Sequence, residues 1–326
     1  METQIYKGRT IPSNASIATR KMRQFLNAKE PKLVLFLQTL WNNQQRAITY
    51  KELREAILNG DLSEKLMEDW YQDYAKFVIE KLAPLWAVAM EEANKPFKDA
   101  LPKYIYNPFQ EGVIKWTNNH AAEFVTNVTN DQIKAMREVI KRATQINDMN
   151  VDELARAIRP MVGLDWRQAI ANQNYYNKMI SSGLSPKKAL ENSVKYSARQ
   201  NRHRGYRIAR TELAFAYNQG SYFGTLQAQE QGLLGTVEKV WCTADDERTC
   251  DICGSMDNKP IGIDDDFYYE YEGVKEKQRR RINPKLTGAT IGKVPPGHVH
   301  CRCTVLYREI EPPIQSLDST PIFIDI

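Results

Sequence analysis

Five cysteines, Cys242, Cys250, Cys253, Cys301 and Cys303, lie toward the end of the chain, and four of them have metal-ligand spacing. Cys250-x-x-Cys253 is followed, after 44 residues, by His298-Val299-His300-Cys301-Arg302-Cys303. Two residues between thiols let a tight turn present both sulfurs to one ion, and His298, Cys301 and Cys303 offer a second pair of donors. Four soft N/S ligands in two close pairs suit tetrahedral Zn²⁺, read here as a structural ion stapling a segment too loop-rich to rely on its own core. The candidate ligands are Cys250, Cys253, His298, Cys301 and Cys303, and which four bind stays open. Cys242, eight residues before the first pair, reads as core, and His300 as a solvent-facing neighbour of the donors. An odd number of cysteines argues against a complete disulfide framework. A redox Cys-x-x-Cys lacks its thioredoxin-like setting, and inert buried thiols are the remaining alternative.

A hydrolytic metal keeps an open coordination position and usually a nearby general base, as in His-Glu-x-x-His. That pattern, the deaminase pair, the phosphate-binding loop, the nucleophile elbow and the dinucleotide fingerprint do not occur in the sequence. The expectation is a protein that is not an enzyme. The competing reading is a metal-dependent nuclease or hydrolase in which Glu212 works with the metal and His298 or His300. His120 and His203 stand isolated in helical stretches and read as ordinary surface or core residues.

Charge supplies the second signal. Residues 187–210 contain eight basic side chains and one acid, Glu191, a local charge of +7; the chain's net is +5, which leaves −2 for everything else. On a helix, Lys195, Arg199, Arg202 and Arg210 fall within an arc of roughly 80°, with Arg207 at its border and Arg204 off it. A solvated face is the plain reading of such a run. The unpaired excess favours a polyanion, and Lys187, Lys188, Lys195, Arg199, Arg202 and Arg204 are the candidate nucleic-acid contacts. Without a base-reading motif, that binding should be nonspecific and salt-sensitive. Glu212 is expected to form a structural ion pair with Arg207 or Arg210. Asp264, Asp265 and Asp266, with Glu270 and Glu272, face the basic run at residues 275–281 and suggest a self-compensating loop; consecutive aspartates do not match the alternating calcium-loop spacing.

The elements that must position these groups are mostly helices. Thr49-x-x-Glu52 has capping-box form, Leu53 and Ile57 follow at four-residue spacing, and Gly60 marks a stop. Leu66, Trp70, Tyr74 and Phe77 make one apolar stripe, with Pro84 expected to bend or end that helix and Pro96 to close the region. A further helix is expected to start at Asn130, others at Asn150, Asp165 and Ser185-Pro186, and Gly205 is a point where the basic helix could break. From Gly232 the character changes to strand-type content and loops. The division read from the sequence is a flexible arm at 1–20, a helical region at 21–125, a helical core at 126–234, a Cys/His α+β module at 235–311 and an extended tail at 312–326. The fold class is mainly α with a small C-terminal α+β zinc-stapled module. The tail, around Ile322-Phe323-Ile324, reads either as a loose terminus or as a strand offered to a partner's sheet.

With 326 residues, 42% hydrophobic and 26% charged, the chain is no wholly disordered polymer, and about two domains are expected. No run approaches the ~18 apolar residues of a membrane span, and Met1-Glu2-Thr3-Gln4 lacks the order of a secretory signal, so a cytosol-made protein without a membrane partner is expected.

Three ordered blocks resemble a known family. Arg207-Ile208-Ala209-Arg210-Thr211-Glu212-Leu213-Ala214 with Asn218 and Gly220, then Trp241-x-x-x-Asp245 and Arg248-x-Cys250-x-x-Cys253, then Pro295-Pro296-x-His298-x-x-Cys301-Arg302-Cys303, are similar to the signature of phage Mu F-like head morphogenesis (minor capsid) proteins. The similarity spans roughly residues 130 to 308. It implies a structural minor head protein of a tailed phage or prophage, made in the host cytoplasm and carried inside the virion near the portal. The partners it implies are the portal protein, packaged double-stranded DNA and the major capsid or scaffolding protein, with roles in head morphogenesis, packaging and genome ejection.

Overall fold

The computed structural model describes residues 5–6, 16–144, 150–243, 249–270, 288–312 and 323–324. Asp245, Arg248, Glu272, the basic run at 275–281 and Ile322 lie outside the described residues. Helices dominate: α1 (Ser16–Ala47), α2 (Tyr50–Asn59), α3 (Glu64–Phe77), α4 (Ala83–Ala93), α5 (Lys95–Ala100), α6 (Glu111–Thr144), α7 (Val151–Ile158), α8 (Trp166–Ser181), α9 (Pro186–Glu230) and the short α10 (Asp251–Met256). Two compact units are each discontinuous in sequence. One comprises Met1–Glu30, Leu85–Ile114 and Arg210–Ile326, the other Pro31–Pro84 and Lys115–Ala209.

The second unit is helical, and its helices start where local chemistry dictates. The Thr49 hydroxyl accepts from the Glu52 N–H at 3.1 Å while the Thr49 N–H donates to the Glu52 carboxylate at 2.8 Å, closing the expected box. Asp165 and Gln168 form a second box at the start of α8, and Asn150 and Ser63 cap α7 and α3. Gly60 ends α2 in the left-handed region. The stripe Leu66, Trp70, Tyr74 and Phe77 is buried, and Leu66 and Trp70 share a core with Leu53, Met136, Ile140 and Ile158. A polar chain runs through the interior: Trp41 Nε1 donates to the Tyr74 hydroxyl at 2.8 Å, which donates to Gln132 at 2.7 Å. Burial pushes the Tyr74 phenol up to about 12, so it stays a neutral donor.

Several boundaries differ from expectation. Pro84 does not stop its helix: a π-turn at Val78–Leu82 precedes α4, and the Ala83 N–H reaches back to the Val78 carbonyl. The wider turn accommodates a residue that has no N–H to give and a ring that would crowd an ordinary turn. Pro96 opens α5, where a missing donor costs nothing. α6 passes through Asn130 without a break, and α9 passes through Gly205. Gly205 is buried against Val34.

The first unit holds the sheets. Strands β1 (Ile5–Tyr6), β2 (Thr236–Cys242), β3 (Pro260–Gly262), β4 (Phe267–Glu270), β5 (Gly288–Gly292), β6 (Thr304–Glu311) and β7 (Phe323–Ile324) form a five-stranded sheet in the order β1-β7-β6-β2-β3 and a separate β4–β5 hairpin sheet. β2 and β6 form the antiparallel centre, with Val240 opposite Leu306 and Cys242 opposite Thr304. The tail strand Phe323–Ile324 pairs with this chain's own β6 and β1, which answers the edge-strand reading with an internal partner. Likewise the stretch expected as an arm contributes β1 and, from Ser16, the start of α1.

Within the same unit α9 approaches α4 closely. A side chain on Gly220 would lie 2.4 Å from the Met90 Cα, so only glycine fits there. Asn94 Nδ2 donates to the Met90 and Gly220 carbonyls at 2.7 and 3.0 Å, and the Tyr104 hydroxyl donates to Asn94 Oδ1 at 2.6 Å. Lys239, in the middle of β2, is fully buried with its ammonium donating to the Ile263 carbonyl at 2.9 Å between the rings of Tyr222 and Phe267. Desolvation brings this lysine down to about 8.

Candidate metal centre

The Cys-x-x-Cys pair sits at a helix start. Cys250 is the N-cap of α10, and its sulfur accepts the Cys253 N–H at 3.4 Å, so the second thiol is held one turn above the first. The facing donors come from the segment leading into β6. His298 Nε2 lies 3.2 Å from Cys250 Sγ and 3.3 Å from Cys253 Sγ, and Cys253 Sγ lies 3.8 Å from Cys301 Sγ. Two sulfurs bound tetrahedrally at about 2.3 Å from one ion would be ~3.8 Å apart, which the Cys253–Cys301 separation matches. Two triads, Cys250–Cys253–His298 and Cys253–Cys301–Cys303, each have their donor atoms within 4.8 Å of one another. Cys253 belongs to both.

The surroundings orient these donors. His298 Nδ1 lies 2.9 Å from the Val299 carbonyl, and donating there would leave Nε2 to face a cation in the cluster. Asn218 of α9 donates from Nδ2 to the Cys303 carbonyl at 3.2 Å and accepts at Oδ1 from the Thr304 hydroxyl at 2.8 Å, fixing the strand that follows the last donor. The His300 N–H donates to the Thr211 hydroxyl at 3.3 Å. His300 itself adopts a left-handed backbone and is in neither triad.

Electrostatically the thiols compete for protons. Hydrogen bonds from Cys253 and His298 draw Cys250 down to about 4, and those from Cys253 and Cys303 hold Cys301 well below its ordinary value. Cys253 is driven up by its neighbours Cys250, Cys301 and Cys303. Contact with Cys253 favours the Cys303 thiolate, yet Cys301 and burial together leave Cys303 raised. His298 rises to about 11 through its contacts with Cys250 and Cys301. Crowded sulfurs of this kind cannot all be thiolates unless a cation shares the space. Cys253, Cys301 and Cys303 are buried, whereas His298 is exposed. Cys242 is buried between Val240 and Leu306, in the core role expected for it.

The basic helix divides by face. Lys187, Lys188, Lys195, Arg199 and Arg202 are exposed, with Arg199 over the Tyr196 ring and Arg202 over Tyr206. Arg204 departs from the expected contact set. It is 2% exposed, donates to the Gly163 carbonyl at 2.8 Å and lies over Trp41. Nine residues beyond Lys195 it falls roughly 180° around the helix, which turns it into the core. Gly163 has a φ of +89°, and any side chain there would collide with Trp41, so the carbonyl that Arg204 needs depends on glycine.

The arginine step Arg207–Arg210 also finds partners that the sequence did not suggest. Arg210 makes a two-pronged pair with Glu30, Nε and Nη2 donating at 2.7 and 2.9 Å, and Arg207 Nη2 donates to Asp165 at 3.1 Å. Glu212, expected beside them, is half-buried on α9. Asp264 and Asp266 are met by Lys293, and Asp265 accepts the Gly262 N–H at 3.0 Å.

A mainly helical chain with a Cys/His cluster packed on a small antiparallel sheet is the class that the fold and site define. The chain belongs to the family of phage Mu protein F-like proteins, phage head morphogenesis proteins whose match covers residues 134–306, more than half of its length and all of both triads. Neither a curated protein nor a solved structure matches it. Among the described residues, no helix is long and apolar enough to cross a membrane.

Proposed function

We propose that this chain is a structural minor head protein of a tailed phage or prophage in which a zinc ion organises the Cys/His module. The observation that carries the reading is the surplus of donors: five soft ligands, three of them buried sulfurs, converge on a site with four places. A shell filled by protein atoms leaves no position for a reacting water, which is the arrangement of a structural ion. Cys250, Cys253, His298 and Cys301 would hold it, being joined by the contacts of 3.2, 3.3 and 3.8 Å, with Cys303 behind them. Zinc would supply positive charge that lets the crowded sulfurs ionise together. Glu212 is then a structural carboxylate, its pairing with Arg207 or Arg210 part of this reading. The expected outcome of a nuclease assay on the purified protein with added Mg²⁺, Mn²⁺ or Zn²⁺ is no turnover. Robust cleavage that disappears in Glu212→Ala would reverse the non-enzymatic reading.

The exposed face of α9 provides the contact to packaged double-stranded DNA, through Lys187, Lys188, Lys195, Arg199 and Arg202. Five cations on one exposed surface, with Glu191 paired to Lys188 among the described residues, are suited to phosphates and carry no base-reading geometry. Replacing Lys195, Arg199 and Arg202 by alanine is expected to lower the slope of log K against log salt by about 2.7, if each side chain displaces one counterion. A fluorescence-anisotropy salt titration measures it, and an unchanged slope removes the assignment. Family membership supports a position inside the virion near the portal, with the portal protein and the capsid or scaffolding proteins as partners and host cytoplasm as the place of assembly. Roles in packaging and ejection belong to the same proposal, and co-purification with the portal protein tests it.

A further inference from the structure

The second unit contains a groove of about 450 Å³ between α1 and α9 that none of these roles uses. Trp41, Ser197 and Asn201 are its buried floor, and its exposed rim is Asn42 and Arg46 on α1 with Val194 and Ala198 on α9. Helical spacing ties that rim to the cations of α9. Arg202 stands only about 40° around the helix from Ala198, while Lys195 follows Val194 and Arg199 follows Ala198. The groove and the basic face are one continuous surface. The α1 wall repeats the order, with Trp41 inside, Asn42 at the edge and Arg46 about 40° further out.

The α1 wall has the chemistry of a phosphate contact. Among the described residues, the Arg46 guanidinium and the amides of Gln38 and Asn42 have no partner, and no acidic side chain lines the groove. A helix ends in unpaired carbonyls, whose partial negative charge opposes an anion. Arg159 covers them here. Its Nε donates to the Gln45 carbonyl at 2.5 Å and its Nη2 to the Arg46 carbonyl at 3.1 Å, with the guanidinium over the Tyr50 ring. The end of α1 is thereby cationic. Arg, Asn and Gln side chains are usual donors to phosphate oxygens, and such contacts position a duplex without reading its sequence. We propose that this groove takes the phosphodiester backbone of double-stranded DNA, so that the nucleic-acid interface spans α1 and α9 rather than α9 alone. Gln38, Asn42 and Arg46 are its α1 contacts, and Arg159 is a positioning residue.

Anisotropy of a labelled short duplex with the full chain, titrated across salt, tests this. Arg46 and Asn42 are exposed, so their replacement leaves the fold intact. Arg46→Ala is expected to lower the slope of log K against log salt by about 0.9, the value of one phosphate contact. Asn42→Ala removes a neutral donor and should weaken binding about fivefold at unchanged slope. Arg46→Glu should weaken binding further than Arg46→Ala. Lys65→Ala removes an exposed cation of α3, outside the groove, and should alter neither affinity nor slope. The inference rests on the DNA reading of α9, and the variants separate the two. If joint replacement of Lys195, Arg199 and Arg202 lowers the slope while Arg46→Ala and Asn42→Ala change nothing, the groove contact is overturned and the α9 contact stands. If the joint replacement also changes nothing, the DNA reading fails and the groove contact falls with it. A drop in Lys65→Ala equal to that in Arg46→Ala would reduce the effect to overall charge and overturn the groove contact as well.

Discussion

Cys253→Ala is expected to abolish metal binding and to unfold the sheet that carries the cluster. Cys253 is the one donor common to both triads, so its removal takes a sulfur from each of them. Structural zinc contributes on the order of 10–16 kcal/mol in small zinc modules, as much as the ~5–15 kcal/mol that holds a typical domain together. The loss should read as zinc content falling from about one per chain to near zero, together with loss of the near-ultraviolet signal of Trp241, which is buried in β2. A chelator should have the same effect on the unmodified protein. Cys242→Ala serves as the control: it removes a buried thiol outside both triads, should keep the metal, and should cost about 1 kcal/mol. A Cys253→Ala protein with intact sheet and intact zinc would contradict the assignment.

Arg210→Ala has the second large expected effect, about 3 kcal/mol of destabilisation. Glu30 is 4% exposed, and the two-pronged pair with Arg210 is what satisfies its carboxylate. Removing only the arginine leaves a buried charge without compensation, the costly way to break such a pair. Removing both charges together, in Glu30→Gln with Arg210→Ala, should cost clearly less than Arg210→Ala alone. Urea denaturation of the four proteins in a double-mutant cycle measures the coupling. A single-variant cost below about 0.5 kcal/mol would mean that the pair is merely a surface contact.

Much of the local structure was legible because it depends on near neighbours. The Thr49–Glu52 box, the Asp165 cap, the Leu66–Trp70–Tyr74–Phe77 stripe and the Pro186 start of α9 are decided within a few residues and appear where spacing places them. The Cys/His cluster was legible for a similar reason, since each pair is compact and only their meeting is long-range. The misreadings have tertiary causes. Pro84 is absorbed by a π-turn, and Asn130 is only one polar residue within a helix of 34 residues, whose packing outweighs a local start signal. Arg204 carried its own warning in its helical angle. The Glu30 partner of Arg210, 180 residues away, carried none, nor did the burial of Lys239 or the groove between α1 and α9. The units themselves are assembled from separated segments, which a linear division cannot express.

Zinc K-edge X-ray absorption on the purified full chain addresses the heart of this account, a closed shell of protein donors around one ion. A four-coordinate site with three sulfurs at about 2.3 Å and one nitrogen at about 2.0 Å is expected, with no bound water. A shell containing an exchangeable oxygen, or cysteines joined as disulfides with no metal bound, would contradict it.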